Sequence, residues 1–267
     1  MSECTHDCST CENKCESEIK LAEPTNDTHI GKIIAVLSGK GGVGKSMVTS
    51  LLAVELARSG KKVGILDADI TGPSIPKMFG LKTELYGDEV GIFPAKSKLG
   101  IKAVSINMML QNEEDPVLWR GPILGGIIKQ FYSEVHWGEL DYLLVDMPPG
   151  TSDVAISLFQ LVPVDEIVMV TTPSKLVSMV VSKAINMADA VNKPIVAVVD
   201  NMAYVKCDAC GHEISIYKND DSAEVASRYG LEVLGKLPID VELANAADEG
   251  NIESYEGNYL KDILNKL

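Results

Sequence analysis

No run of about 18 consecutive apolar residues occurs in this 267-residue chain, so no segment is expected to cross a membrane as a helix. The N-terminus also lacks the apolar stretch of a secretory signal, which makes the cytoplasm the expected compartment. Aromatic residues are scarce at 5%, leaving Val, Ile and Leu to build the core. Positive charge is short as well, with 24 Lys and Arg against 38 Asp and Glu and a net charge of −14. Sequence-independent binding to nucleic acid relies on clustered cations, and so does docking on anionic lipid. Neither partner is expected. No internal repeat or low-complexity segment interrupts the chain, and cysteine is absent between Cys15 and Cys207.

What is present points to an α/β protein. A 46% hydrophobic share over this length suits one large domain with a short extension. Apolar runs read as strands at Ile33–Leu37, Val63–Leu66, Ala103–Ile106, Tyr142–Asp146, Ile167–Thr171, Ile195–Val199 and Val233–Leu237. Helical patterns separate most of them, among them Met47–Arg58, Val154–Leu161 and Val177–Val191. Continuous apolar strands alternating with helices predict a mostly parallel sheet flanked by helices on both faces. Residues 1–28 read as a Cys-rich metal-binding tail that orders only around a metal, and 29–267 as the folded domain. Within that domain, Ile252–Leu267 is expected to be a packing helix.

Ser38-Gly39-Lys40-Gly41-Gly42-Val43-Gly44-Lys45-Ser46 is a phosphate-binding loop, a deviant Walker A with two lysines. Gly39, Gly44, Lys45 and Ser46 meet the pattern G-x-x-x-x-G-K-[ST], between a strand and a helix as the motif requires. Gly39, Gly41, Gly42 and Gly44 let backbone N–H groups of the loop, Val43 included, turn inward around a phosphate. Lys45 supplies charge for the β- and γ-phosphates, and the Ser46 hydroxyl can hold Mg²⁺. Lys40 is not needed for that cradle. A second cation there either repels its neighbour or reaches a nucleotide held by a second subunit.

Asp67-Ala68-Asp69 follows the second strand, with Thr71-Gly72-Pro73-Ser74 just beyond. Carboxylates at the carboxyl end of a strand lie beside the phosphate loop in an open α/β sheet. One can support Mg²⁺ through water while the other orients the attacking water. A capped strand-to-turn junction is the plain alternative, and the neighbouring loop weighs against it. Asp146-Met147-Pro148-Pro149-Gly150 closes another buried strand, placing Asp146 toward Mg²⁺ as in a Walker B segment. The stiff turn after it offers the Gly150 N–H to a γ-phosphate. Asn201-Met202 ends a further strand where a base would lie, and an Asn side chain can both donate to and accept from adenine.

Cys207-x-x-Cys210 is a half-site, because zinc and iron–sulfur clusters generally take four ligands. Either the pair is a redox dithiol or a two-fold dimer brings two pairs together. His212, adjacent, reads as a loop residue. Cys4, Cys8, Cys11 and Cys15 supply four thiols in one segment, enough for a second cluster or a zinc ion without a partner chain.

Together these segments resemble the Mrp subfamily of P-loop ATPases, iron–sulfur cluster carriers within the wider MinD/ParA and nitrogenase-iron-protein class. The likeness runs from about Lys32 to Gly250. It is carried by Gly39–Ser46, Asp67-Ala68-Asp69-Ile70, Gly72-Pro73-Ser74, Trp119-Arg120-Gly121-Pro122, Asp146–Gly150, Asn201-Met202 and the Cys207/Cys210 pair. The resemblance implies an ATP hydrolase that works as a homodimer and delivers clusters to apo-proteins. It implies that Lys40 reaches the partner subunit's nucleotide, that Asn201 contacts adenine, and that Cys207 and Cys210 of two protomers bridge one [4Fe-4S] cluster. Asp200 stands where the family often has glutamate, and Thr172-Pro173-Ser174 where a Pro-Gln pair is common. The N-terminal cysteines are spaced more tightly than in the extended carriers. A spatial-organising ATPase of the MinD/ParA kind fits the loop equally but not the acidity or the cysteines. The carrier fold with structural zinc is the remaining alternative.

Overall fold

A computed structural model describes residues 21–25, 27–69, 72, 74–81, 85–87, 91–109, 121–150, 153–173, 175–207, 209–217 and 222–267. Cys4, Cys8, Cys11 and Cys15 lie outside the described residues, as do Ile70, Thr71, Pro73, Trp119 and Arg120. The strands are β1 His29–Ser38, β2 Val63–Asp67, β3 Tyr86–Gly87, β4 Ile92–Phe93, β5 Ala95–Lys96, β6 Lys102–Ser105, β7 Glu139–Asp146, β8 Glu166–Thr171, β9 Ile195–Lys206, β10 Glu213–Ser215 and β11 Val233–Ile239. The helices are α1 Lys45–Arg58, α2 Ile75–Met78, α3 Gly121–Ser133, α4 Asp153–Leu161, α5 Lys175–Ala190, α6 Ser222–Arg228, α7 Val241–Asp248 and α8 Lys261–Leu264.

The main sheet runs β10-β9-β8-β1-β7-β2-β6-β5, with β11 also paired to β9. β1 lies between β7 and β8, both parallel to it, and the antiparallel pairs are confined to β5–β6 and β9–β10 at its edges. All seven expected strands are present, embedded in β1, β2, β6, β7, β8, β9 and β11. The short β3, β4, β5 and β10 carry too few residues to show a pattern. Successive residues of the central strands face opposite cores, as the two-residue period demands. Ile33, Ala35 and Leu37 of β1 join Leu143 and Val145 of β7 under α3, α4 and α5. Ile34 and Val36 join Leu144 under α1 and the C-terminal segments. A strand buried on both faces reads as unbroken hydrophobicity, which is why these runs were visible.

Two expectations change. The segment from Ile252 is not one helix: a 3₁₀ turn at Ile252–Ser254 leads through extended chain to the short α8. A Cβ at Gly257 would stand 2.2 Å from the Tyr255 ring, so the extended chain passes the ring at a point where only glycine leaves room. The packing role holds, since Ile252, Tyr255, Leu260 and Ile263 are buried. Upstream of β1, Ala22 is buried and its N–H donates to the Leu161 carbonyl at 2.9 Å. The described part of the N-terminal extension therefore packs on the body. Among the described residues no helix is long and apolar enough to cross a membrane.

Leu144 is fully buried in the middle of β7, while Leu99 is 45% exposed. Leu144→Ala is expected to lower unfolding free energy by about 2–5 kcal/mol through lost burial and a residual cavity. Leu99→Ala should stay within about 0.5 kcal/mol. Urea titration of both variants checks the contrast.

Candidate functional site

The phosphate loop leaves β1 at Ser38 and enters α1 at Lys45. Gly42 and Gly44 both take left-handed conformations, with φ of 78° and 76°. At Gly44 the requirement for glycine is double. A Cβ there would lie 2.1 Å from Asn201 Nδ2, and that same nitrogen donates to the Val43 carbonyl at 2.9 Å. Asn201 thus fastens the loop from β9. The strand does not end there as expected. It continues to Lys206 because β10 and β11 both pair with its second half, and it passes Met202 in a left-handed turn at φ 55°.

Four elements converge beneath the loop. Lys45 Nζ lies 2.8 Å from Asp146 Oδ2 and 3.5 Å from Asp69 Oδ2. The Ser46 hydroxyl donates to Asp146 Oδ2 at 2.5 Å. The Thr49 hydroxyl lies 2.7 Å from Asp146 Oδ1 and 3.0 Å from the Lys45 carbonyl, and its single proton serves the nearer carboxylate. Parallel pairing of β2 with β7 sets Asp67 opposite Asp146, and pairing of β2 with β6 sets Ser105 opposite Asp67. The Ser105 hydroxyl donates to Asp67 Oδ2 at 3.0 Å, and the Asp69 N–H donates to Asp67 Oδ1 at 3.2 Å.

Asp67 is fully buried, and that burial pushes its carboxyl up to about 8, with the Asp146 charge adding to the rise. Lys45, the Asp69 N–H and the Ser105 hydroxyl pull against the shift without cancelling it. Asp67 is therefore mainly protonated at neutral pH, whereas Asp69 is also buried, at 8% exposure, beside Lys45. The structure brings together Lys45, Ser46, Asp67, Asp69, Asp146 and Asn201. Thr49 and Ser105 were missed. Thr49 lies three residues after Ser46 on the same helix face, which was a usable signal. Ser105 needed the strand register.

Lys40 is exposed, and its carbonyl accepts from the Ser38 hydroxyl at 3.0 Å. The Gly150 N–H, expected to face a phosphate, donates to the Ser38 carbonyl at 2.8 Å. That bond ties the turn after β7 to the start of the loop. The donor set suits Mg²⁺ with a nucleotide: a hard carboxylate, a hydroxyl and an ammonium meet under a glycine loop that a Cβ would obstruct. The group would be held by Ser46 and Asp146.

Cys207 and Cys210 lie in the turn that joins β9 to β10. The Cys207 N–H donates to the His212 carbonyl at 2.9 Å, and the Gly211 N–H to the Cys207 carbonyl at 2.8 Å. Cys210 is exposed, Cys207 half-buried, and neither is disulfide-bonded. Among the described residues no third His, Cys, Asp or Glu completes a metal site. The two thiols thus sit together in an exposed turn at the sheet edge.

Residues 29–267 match the ParA model described as NUBPL iron-transfer P-loop NTPase. The chain belongs to this family. It is 43% identical over 267 residues to the iron-sulfur cluster carrier protein of Clostridium perfringens, covering 93% of this chain and 94% of that one. The carrier protein of Methanocaldococcus jannaschii is also 43% identical, over 94% of this chain and 90% of the other. Among solved structures, a nucleotide-binding protein of Archaeoglobus fulgidus in complex with ADP is similar at 43% identity and a TM-score of 0.79, covering 87% of this chain and 91% of that one. The cell-division ATPase MinD of Pyrococcus furiosus shares the fold at 21% identity and a TM-score of 0.63, covering 88% of this chain and 95% of that one. Iron-transfer NTPases are thus the relatives on sequence, and MinD on fold alone.

The raised Asp67 carboxyl makes this site pH-sensitive. A carboxyl that holds its proton more tightly folded than unfolded favours the fold at low pH, and that advantage is lost as pH rises from about 4 to about 8. Asp67→Asn should remove this slope. In nucleotide-free protein with EDTA, the variant is expected to be more stable than wild type at pH 8 by at least about 1 kcal/mol. The gap should narrow toward pH 4 in thermal unfolding scans.

Proposed function

We propose that the protein is an ATP-binding and slowly hydrolysing carrier that accepts a [4Fe-4S] cluster and passes it to apo-proteins. The observation that carries this reading is the path of β9. One strand holds the phosphate loop through Asn201 and, six residues on, presents Cys207 in the turn at its end. At ~3.3 Å per residue the two points are at most about 20 Å apart along the chain. Family membership and the carrier relatives support the same reading.

In this reading Lys45 binds the β- and γ-phosphates, and Ser46 with Asp146 holds Mg²⁺, which draws charge from the phosphates. Asn201 uses its amide nitrogen on the loop and its amide oxygen on adenine. Asp69, beside the Lys45 ammonium, orients the attacking water. Asp67, buried and protonated, donates a hydrogen bond and so spares the site a third negative charge. Cys207 and Cys210 of two copies bridge one cluster across a two-fold axis, since this turn supplies only two thiols per copy among the described residues. Exposed Lys40 reaches the nucleotide of the facing copy. The four N-terminal thiols, Cys4, Cys8, Cys11 and Cys15, hold a second cluster or zinc.

Anaerobic reconstitution with iron and sulfide tests the cysteine assignment. Cys207→Ala and Cys210→Ala should each lose the interface cluster, about a third of the bound iron if each copy's N-terminal cysteines also hold a [4Fe-4S] cluster. Full cluster occupancy and transfer in both variants would sink the idea. A second test separates the two lysines. Lys45→Ala should weaken ATP binding by about tenfold or more, while Lys40→Ala should leave affinity within about threefold and reduce ATP-dependent transfer. Equal losses of affinity in both variants would remove Lys40 from the coupling role.

A further inference from the structure

At the opposite end of the sheet from the phosphate loop lies a pocket of about 340 Å³ that the nucleotide and cysteine sites do not use. Lys61 and Lys62 enter it from the turn between α1 and β2, and Lys96 and Lys102 from the β5–β6 hairpin. Glu139, at the start of β7, is the one carboxylate among its lining residues. A chain with 38 acidic and 24 basic residues here gathers four lysines around one carboxylate.

These lysines are not spent on one another's neighbours. Among the described residues Lys61, Lys62 and Lys96 make no ion pair or side-chain hydrogen bond, although the Lys62 N–H donates to Asp141 Oδ2 at 2.7 Å. Lys102 is half-buried, and its ammonium donates to the Trp137 carbonyl, which fixes the head at the pocket wall. Burial, then Lys96, then Lys62 hold the Lys102 ammonium below its ordinary range, so the positive field inside the pocket is felt by its own members. The adjoining hollow differs. It shares Lys61, Lys62 and Glu139 but adds Asp141, and its further lysine, Lys32, is paired with Glu166 at 3.1 Å.

We propose that the lysine pocket binds a small organic polyanion carrying at least two phosphate or carboxylate groups. The size excludes a bare inorganic ion as a good fit, since pockets of this volume suit organic ligands. Buried Val63, Ile101 and Leu140 provide apolar wall for a carbon body, and four ammonium groups provide counter-charge at its rim. Ammonium is a compact point charge that pairs with either phosphate or carboxylate, without the planar matching of guanidinium. The site is separate from the phosphate loop, because Val63 and Lys102 begin strands whose far ends carry Asp67 and Ser105.

Calorimetric titration of the full chain with tricarballylate and with 2,3-bisphosphoglycerate, at low salt, tests the proposal and separates the two anion sources. Saturable binding of one or both below about 5 mM is expected, weakening as salt is added. Wild type and Lys45→Ala should agree within about twofold, because the phosphate loop is not involved. Lys62→Glu with Lys96→Glu should weaken binding by about tenfold or more, and Lys62→Gln with Lys96→Gln by less. Unchanged far-ultraviolet dichroism in these exposed-site variants keeps the comparison valid. Three results would overturn the proposal: no saturable binding of either probe, wild-type affinity in the lysine variants, or loss of binding in Lys45→Ala. Tighter binding of hexaglutamate than of both small anions would also overturn it, in favour of an acidic protein partner.

Discussion

A single buried ammonium group holds the functional end of this molecule together. Lys45 is 5% exposed and lies within ion-pair distance of Asp146 and Asp69, while Asp67 stands in register with Asp146 on the neighbouring strand. One buried cation cannot balance three buried carboxylates. The arrangement stays affordable because Asp67 keeps its proton and because hydroxyls from Thr49, Ser46 and Ser105 satisfy the carboxylate oxygens. The partners in that balance come from four neighbouring elements: Lys45, Ser46 and Thr49 from α1, Asp67 from β2 with Asp69 just beyond it, Ser105 from β6 and Asp146 from β7. Parallel pairing of the central strands is what aligns their carboxyl ends on this one cluster.

The same parallel geometry explains where chemistry is concentrated. Strand ends on one side of the sheet carry carboxylates, hydroxyls and the phosphate loop, and those on the other side carry lysines. β9 departs from this pattern by running past the site for six more residues. Its second half is stabilised by pairing with β10 on one side and β11 on the other. An edge hairpin built this way can project two thiols into solvent without unsatisfied backbone groups.

Most of the fold was legible, and for a physical reason. Strands covered on both faces must be apolar throughout, so Ile33–Leu37 or Ile167–Thr171 announce themselves without alternation. The phosphate loop was legible because glycine is obligatory where Gly44 meets Asn201, with no room for a Cβ. The C-terminal segment misled because its buried positions, Ile252, Tyr255 and Ile263, fit a helical spacing although the chain between Tyr255 and Leu260 is extended. Ser105 and Gly150 failed for a related reason. Which hydroxyl meets Asp67, and which carbonyl takes the Gly150 N–H, depend on strand neighbours set by topology rather than by local sequence.

The structure also sharpens what nucleotide could do to the cysteine turn. A ligand shifts a conformational balance only by binding two arrangements unequally. The shortest route from loop to thiols is the Asn201–Val43 hydrogen bond followed by the chain from Asn201 to Cys207, whose second residue is unusual. Met202 holds φ at 55° without being glycine, a conformation that costs roughly 1–2 kcal/mol for a side-chain-bearing residue. It persists because Asn201 is fastened to Val43 on one side, while β11 pairs with β9 both before and after Met202 and β10 pairs from Tyr204 on. Strain of that size is comparable to the coupling energies between linked sites. A ligand that drew the loop or Asn201 aside would therefore change the restraint on Met202 directly.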